Sequence, residues 1–237
     1  MSSVPQEAWD WLTDPVNWEG EAGIVNRTIE HVGLSAAGVG LACAVALPIA
    51  FWLGHLGRGG VVALNLSNIG RAVPTYAVLV ILVLGPLGAT NLSTVIALAL
   101  FALPPIMTNT YVGIREVNRD VVDAARGAGL SGRQVLTRVE LPLATPMIMN
   151  GVRLAAVQVV ATATIAALVG GGGLGRIISG GFGERNDGKL VAGALLVAVL
   201  ALVVEGSFAL AQRALARSQG PTPGADASGR RASRTLV

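Results

Sequence analysis

The sequence predicts an all-α polytopic membrane protein with about five transmembrane helices, its N-terminus outside and its C-terminus cytoplasmic. Three observations carry that reading. Of 237 residues 52% are hydrophobic and only 13% are charged, with a mean hydropathy of +0.63, which is more apolar surface than a soluble domain covers with polar groups. Apolar stretches recur at about Ile29 to Leu53, Val61 to Leu87, Leu92 to Tyr111, Met147 to Val169 and Leu190 to Gln212. Each approaches the roughly 20 helical residues that cross a hydrocarbon core of about 30 Å, and none alternates apolar with polar residues as the strands of a membrane barrel do. The basic residues, finally, crowd on one side of these stretches.

That asymmetry sets the orientation, because cytoplasmic loops next to spans carry the excess of Arg and Lys. With the N-terminus outside, the inner side receives Arg58, then Arg115, Arg119, Arg126, Arg133 and Arg138, then Arg213, Arg217, Arg230, Arg231 and Arg234. The outer side receives Arg27, Arg176, Arg185 and Lys189, while Arg71 and Arg153 fall within spans. The pI near 9.7 is therefore a matter of topology and not of nucleic-acid binding.

In chain order, residues 1–28 form an extracytoplasmic segment, acidic and polar, with Trp9, Trp11 and Trp18 interleaved. It lacks the basic start and apolar core of a cleavable signal, and its indoles suit either an interfacial segment or a soluble tail. The transmembrane domain then occupies 29–213, with a cytoplasmic loop at 113–145 between the third and fourth spans. Lone Cys43 lies in the first span as a small packing residue. Residues 214–237, rich in Pro, Gly, Ser and Ala beyond Ser218, read as a disordered cytoplasmic tail.

The cytoplasmic loop is the most informative stretch. It contains DAARGAGLSGRQVLTRVELP, from Asp123 to Pro142, polar and rich in arginine in a chain that is otherwise oily. Asp120 is expected to cap a helix running to about Arg126, with two carboxylates near the positive end of its dipole. Gly127 or Gly129 supplies the positive φ that ends it, with Leu130 as the apolar contact beyond. Ser131 and Gln134 are spaced as a capping box for a second helix through Val135, Leu136 and Val139, which Leu141 and Pro142 are expected to stop ahead of the fourth span. Ala124, Ala125 and Ala128 leave a smooth surface that another protein can approach closely.

The spacing of Asp123, Ala124, Ala125, Gly129, Val139, Leu141 and Pro142 resembles the E-A-A, three residues, G, nine residues, I, any residue, L-P signature of binding-protein-dependent ABC importer permeases, with Asp for Glu and Val for Ile. Stretches such as NIGRAVPT, LPPIMTNTYVGI and VELPLATPMIMNGVRLAAVQVVATATIAALVGGGGLG are similar to the permease subunits of osmoprotectant importers for glycine betaine, carnitine or choline, over most of residues 30–213. The resemblance implies a type I importer permease fold in the bacterial cytoplasmic membrane, without catalytic residues of its own. Asp123, Ala124, Ala125, Gly129, Leu130, Val139, Leu141 and Pro142 would couple it to ATP hydrolysis. It implies as partners two ATPase subunits that bind the ATP and Mg, a second permease copy or homologue, and an external binding protein. In that family the binding protein captures the quaternary ammonium by cation–π attraction. With four Trp, two Tyr and four Phe here, and three of the Trp in the N-terminal segment, selectivity is expected in the partner.

Other motifs weigh less. Gly183, Gly188 and Lys189 match a phosphate-binding loop except that Leu190 stands where Ser or Thr would hold magnesium, and no strand precedes them. Gly170, Gly172 and Gly175 fit a dinucleotide pattern but follow a membrane helix; GGGGLGRIISGGFG reads instead as a flexible turn outside the membrane. His31 and His55 stand far apart, and no metal site or cofactor site is expected. Within the spans, ionisable groups are costly: Arg71 is either functional or a snorkelling anchor, and Glu205 is placed at a depth to pair with Arg153 or Arg71. Asn65, Asn68, Thr75, Thr108, Thr110, Tyr111 and Asn150 are expected mostly as hydrogen bonds between helices. Gln158, Thr162, Thr164, Tyr76 and Asn109 are the candidates for lining a translocation path.

A different class of reading is a stand-alone secondary transporter or a non-transporting scaffold, in which the loop would be coincidental; no internal repeat of the kind such transporters carry is visible. The topology is open to direct test. Cysteines placed near residues 20 and 180 should react with an impermeant thiol reagent from outside, and those near 130 and 225 should not; labelling at 130 from outside would reverse the orientation.

Overall fold

The computed structural model describes residues 3–58, 60, 65 and 73–218. Its elements are α1 (Val4–Thr13), a 3-10 turn (Pro15–Asn17), α2 (Ile24–Leu56), α3 (Thr75–Leu84), α4 (Asn91–Arg115), α5 (Arg119–Gly127), α6 (Gly132–Val169), α7 (Gly175–Glu184) and α8 (Asp187–Ser218). Among the described residues α2, α4, α6 and α8 are long and apolar enough to cross a membrane. The expected span from Val61 to Leu87 is represented by the 10 residues of α3, and much of its first half, with Asn68 and Arg71, lies outside the described residues.

The centre of the bundle is a three-helix contact of α2, α4 and α6. On α2, Gly38, Ala42, Ala46, Ala50 and Gly54 repeat every four residues and all are buried, which lays one small-residue ridge along the helix. A Cβ on Gly38 would stand 2.8 Å from that of Leu98, and one on Gly54 would meet Ile114 at 3.0 Å. The ridge thus follows α4 along most of its length, with Leu98, Ala102, Ile106, Ala155, Val159 and Ala163 closing the core. Between α4 and α6 the approach is tightest at Gly151, whose Cβ would lie 2.7 Å from that of Asn109 and 2.9 Å from the Pro105 carbonyl oxygen.

The helices run further than the hydropathy suggests. α2 begins at Ile24, and α8 continues past Gln212 to Ser218, because Ala, Leu, Gln and Arg in that last stretch favour helix whether or not lipid surrounds them. The expected helix stop at Leu141 and Pro142 is not there. A π turn over Leu136–Glu140, in which the Leu141 N–H bonds to the Leu136 carbonyl, widens the helix just ahead of the proline. The chain continues through Pro142 into α6, so the second loop helix is the first turn of the span itself.

The glycine-rich segment is also not a flexible turn. Gly170 (φ +98°) and Gly173 (φ +80°) make the reversal, but residues 171–175 are buried and α7 follows at once. The Arg176 guanidinium donates to the carbonyls of Gly170 and Gly171 at 2.9 and 2.6 Å. The N-terminal segment, expected as interfacial or as a soluble tail, folds onto this end of the bundle. Trp11 and Leu12 pack with Ile24, Leu174 and Ile177, Trp18 Nε1 donates to the Leu12 carbonyl at 2.7 Å, and Gly188 of α8 lies against Glu7.

Gly151→Val should force α4 and α6 apart and cost about 1–3 kcal/mol of stability. Thermal unfolding of the detergent-solubilised protein measures it, and Gly206→Val, with nothing within 4 Å of its added Cβ, should leave the transition in place.

Candidate functional site

The loop between α4 and α6 is built by caps at both of its breaks. α4 ends at Arg115, and Asn118, not the expected Asp120, caps α5: its side chain accepts from the Asp120 N–H at 2.8 Å. Asn is as good a cap as Asp and lies one residue ahead of the first helical position. At the other end the Gly129 N–H bonds to the Arg126 carbonyl and the Leu130 N–H to the Ala125 carbonyl, with Gly129 at φ +87°. This is the paired closure of a Schellman motif, and it makes Gly129, not Gly127, the left-handed residue. Ser131 then starts α6, its N–H donating to Gln134 Oε1 at 2.8 Å.

One face of this loop is fixed and the other is open. Val122 and Val135 are fully buried against Ile114, Val117 and Ala144, with Ala125, Leu130 and Leu141 packed beside them. Asp123, Ala124, Ala128 and Gly129 are exposed, as is Pro142, while Val139 is half-buried. Asp123 lies 3.9 Å from the Arg126 guanidinium, a solvated pair of little energetic weight. The arrangement is a rigid knuckle that presents small side chains and the Asp123 carboxylate outward.

A polar cluster that sequence reasoning missed lies beneath this knuckle. Glu140, at the end of the π turn, is fully buried; its Oε2 lies 2.6 Å from His55 Nδ1 near the end of α2. Arg119, the first residue of α5, approaches Oε1 to 3.9 Å. Helical spacing from Glu140 to buried Ala144 hinted that the carboxyl faces inward, but a partner 85 residues away leaves no mark on local sequence.

The path candidates do not converge. Gln158 is exposed and lines, with Thr75, Phe101, Pro104 and Pro105, a cavity of about 280 Å³. Thr162 lies one turn further along the same face of α6, whereas Thr164 is turned away and its hydroxyl donates to the Ala161 carbonyl at 2.7 Å. Asn109 is a packing residue: its amide donates back to the Pro105 carbonyl one turn earlier at 2.8 Å, and its oxygen accepts from Asn150 at 3.1 Å. Tyr76 is half-exposed on α3. The buried hydroxyls of Thr108 and Thr110, expected to bond between helices, make no hydrogen bond among the described residues.

Arg153 of α6 and Glu205 of α8 pair in bidentate fashion, Nε to Oε2 at 2.9 Å and a terminal nitrogen to Oε1, and Arg153 also donates to Gln212 Oε1 at 3.0 Å. At the other end of the bundle the phosphate-loop match dissolves. Lys189 Nζ is held by Glu184 at 2.7 Å, its N–H by Asn186 as a helix cap, and a helix, not a strand, precedes it.

Comparison with known proteins adds to this geometry. The profile of the family described as binding-protein-dependent transport system inner membrane component matches residues 43–217. The chain is 37% identical over 185 residues to a carnitine transport permease protein of Listeria monocytogenes, covering 78% of this chain and 83% of the relative. It is 32% identical over 190 residues to a glycine betaine/carnitine/choline transport system permease protein of Bacillus subtilis, covering 80% and 87%. In structure it matches a chain of the MetNI methionine ABC transporter, in inward-facing conformations, with a TM-score of 0.70 at 20% identity over 81% of this chain and 95% of that one, and so shares its fold.

Charge reversal of either Arg153 or Glu205 alone should leave a like-charged pair inside the bundle and lower the amount of protein in the membrane. The double reversal, Arg153→Glu with Glu205→Arg, should restore it; membrane abundance by immunoblot is the measurement, and no rescue would deny the pair its structural role.

Proposed function

We propose, for a chain that belongs to the family of binding-protein-dependent transport system inner membrane components, that it is the permease subunit of an ATP-driven importer of quaternary-ammonium osmoprotectants. The observation that carries this reading is the knuckle at Asp123–Pro142: an exposed surface of Ala124, Ala128 and Gly129 fixed from behind by buried Val122 and Val135. A surface of small residues admits a partner's backbone closely, and a rigid backing passes displacement on to α4 and α6 without absorbing it. The partner is an ATPase that binds ATP and Mg and carries the hydrolytic chemistry, present in two copies beneath a pair of permeases. Asp123, Ala124, Ala128 and Gly129 form its contact, backed by Ala125 and Leu130 on the packed face, with Val139, Leu141 and Pro142 at the junction to α6.

The substrate class rests on the relatives named for carnitine, choline and glycine betaine transport. The paucity of aromatic residues agrees with recognition by an external binding protein, since a cage for a quaternary ammonium needs several rings about one cation. Gln158 and Thr162, on one face of α6, are the path residues this geometry favours.

Gly129→Val tests the coupling assignment. A β-branched residue at φ +87° is strained by about 1–3 kcal/mol, enough to displace the knuckle but not to unfold the bundle. The variant should reach the membrane yet lose substrate-stimulated ATP hydrolysis and uptake together, and Asp123→Lys should weaken the same contact by opposing the helix dipole. Normal transport by Gly129→Val would end the assignment. Uptake of labelled glycine betaine, choline and carnitine, with and without hyperosmotic stress, tests the substrate.

A further inference from the structure

Four helix ends meet at one point under the knuckle. His55 lies in the last turn of α2, which Gly57 closes at φ +67°; Arg115 ends α4, and its guanidinium sits 2.7 Å from where a Gly57 Cβ would be. Arg119 opens α5, and Glu140 lies in the π turn of α6, with Gly132 of the same helix directly beside His55 Nε2. The fully buried Glu140 carboxyl is half satisfied: Oε2 is bound by His55 at 2.6 Å, while Oε1 has no hydrogen bond among the described residues. The Arg119 guanidinium stands 3.9 Å from Oε1, its own second nitrogen donating to the Arg115 carbonyl at 3.1 Å. A buried acceptor without a donor is costly, and a donor held about 1 Å beyond hydrogen-bond distance defines a second arrangement that is a short movement away.

We propose that Glu140 is a positioning residue that reports the seat of α5 to the transmembrane helix α2, through Arg119 on one carboxyl oxygen and His55 on the other. When a partner draws the first turn of α5 inward, Arg119 closes onto Oε1 and fixes α5, α6 and the end of α2 as one body. When α5 is released the contact opens and Glu140 keeps only its His55 partner at the end of α2. The far end of α2 is anchored as firmly. His31, fully buried, accepts the Leu174 N–H on Nδ1 at 3.2 Å and donates from Nε2 to the Val160 carbonyl at 2.9 Å, and Glu30 accepts the Gly173 N–H at 2.8 Å. From His31 to His55 an α-helix spans about 36 Å, so movement imposed at Glu140 reaches the glycine-rich reversal across the bundle. The inference rests on the knuckle being the site where the ATPase engages.

The test uses the full complex of permease, ATPase and binding protein reconstituted in vesicles, with ATP hydrolysis measured with and without liganded binding protein. Arg119→Gln, a change at a half-buried residue, should leave the copurified ATPase and its unstimulated hydrolysis in place while lowering stimulated hydrolysis and uptake about tenfold. Glu140→Gln, which weakens the His55 contact as well, should lose at least as much, and the double variant should be no worse than Glu140→Gln alone, since the Arg119 contact is already gone there. Full stimulation in Arg119→Gln, or losses that multiply in the double variant, would overturn the proposal, and Arg119→Gln decides alone if Glu140→Gln fails to assemble. The two readings fail separately: stimulated hydrolysis surviving Gly129→Val removes the coupling knuckle, whereas its loss there and survival in Arg119→Gln removes only the relay.

Discussion

Everything in this fold depends on how closely α2 can lie against α4 and α6. In lipid no hydrophobic force draws apolar helices together, so van der Waals contact and a few interhelical hydrogen bonds hold them. The ridge from Gly38 through Ala42, Ala46 and Ala50 to Gly54 supplies that contact, and the glycines at Gly151 and Gly38 admit backbone where a side chain would collide. Once these three helices are fixed, the loop between α4 and α6 has its two ends fixed as well. The knuckle is therefore a consequence of the packing above it, and it needs only Val122 and Val135 to seat it.

The polar groups inside the bundle divide by role. Arg153 with Glu205 and Gln212 joins α6 to α8, a helix with many apolar side chains that face outward, as Leu195, Val199, Leu202 and Leu210 do. A bidentate pair partly open to its surroundings orients α8 more than it stabilises the protein. Asn109 and Asn150 bridge α4 and α6 side chain to side chain, one turn beyond Pro104 and Pro105. His31 and His55, far apart in sequence, each bind a different neighbour at opposite ends of one helix, so α2 is anchored by a histidine at both ends of the bundle.

The amino-acid sequence by itself determined the fold class, four of the membrane-length helices and the chemistry of the loop, because these depend on local quantities: hydropathy over twenty residues, capping side chains and a glycine at the helix end. Gly129, Leu130 and the Ser131–Gln134 box are examples, each acting within five residues. Its errors were also local. Asp120 is a competent cap by residue type, but Asn118 two residues earlier is equally competent and holds the position, and Pro142 reads as a stop because a π turn ahead of it leaves no signature in residue type.

Only the tertiary structure decided what lies opposite what. That Glu140 meets His55 and Arg119, that Thr164 turns away from Gln158, and that the glycine-rich segment is buried under Glu30 and His31 follow from helix rotation and registry. These are set by packing between residues scores to more than a hundred positions apart. Distances of that kind are fixed by the sum of many weak contacts, and no single stretch of sequence contains them.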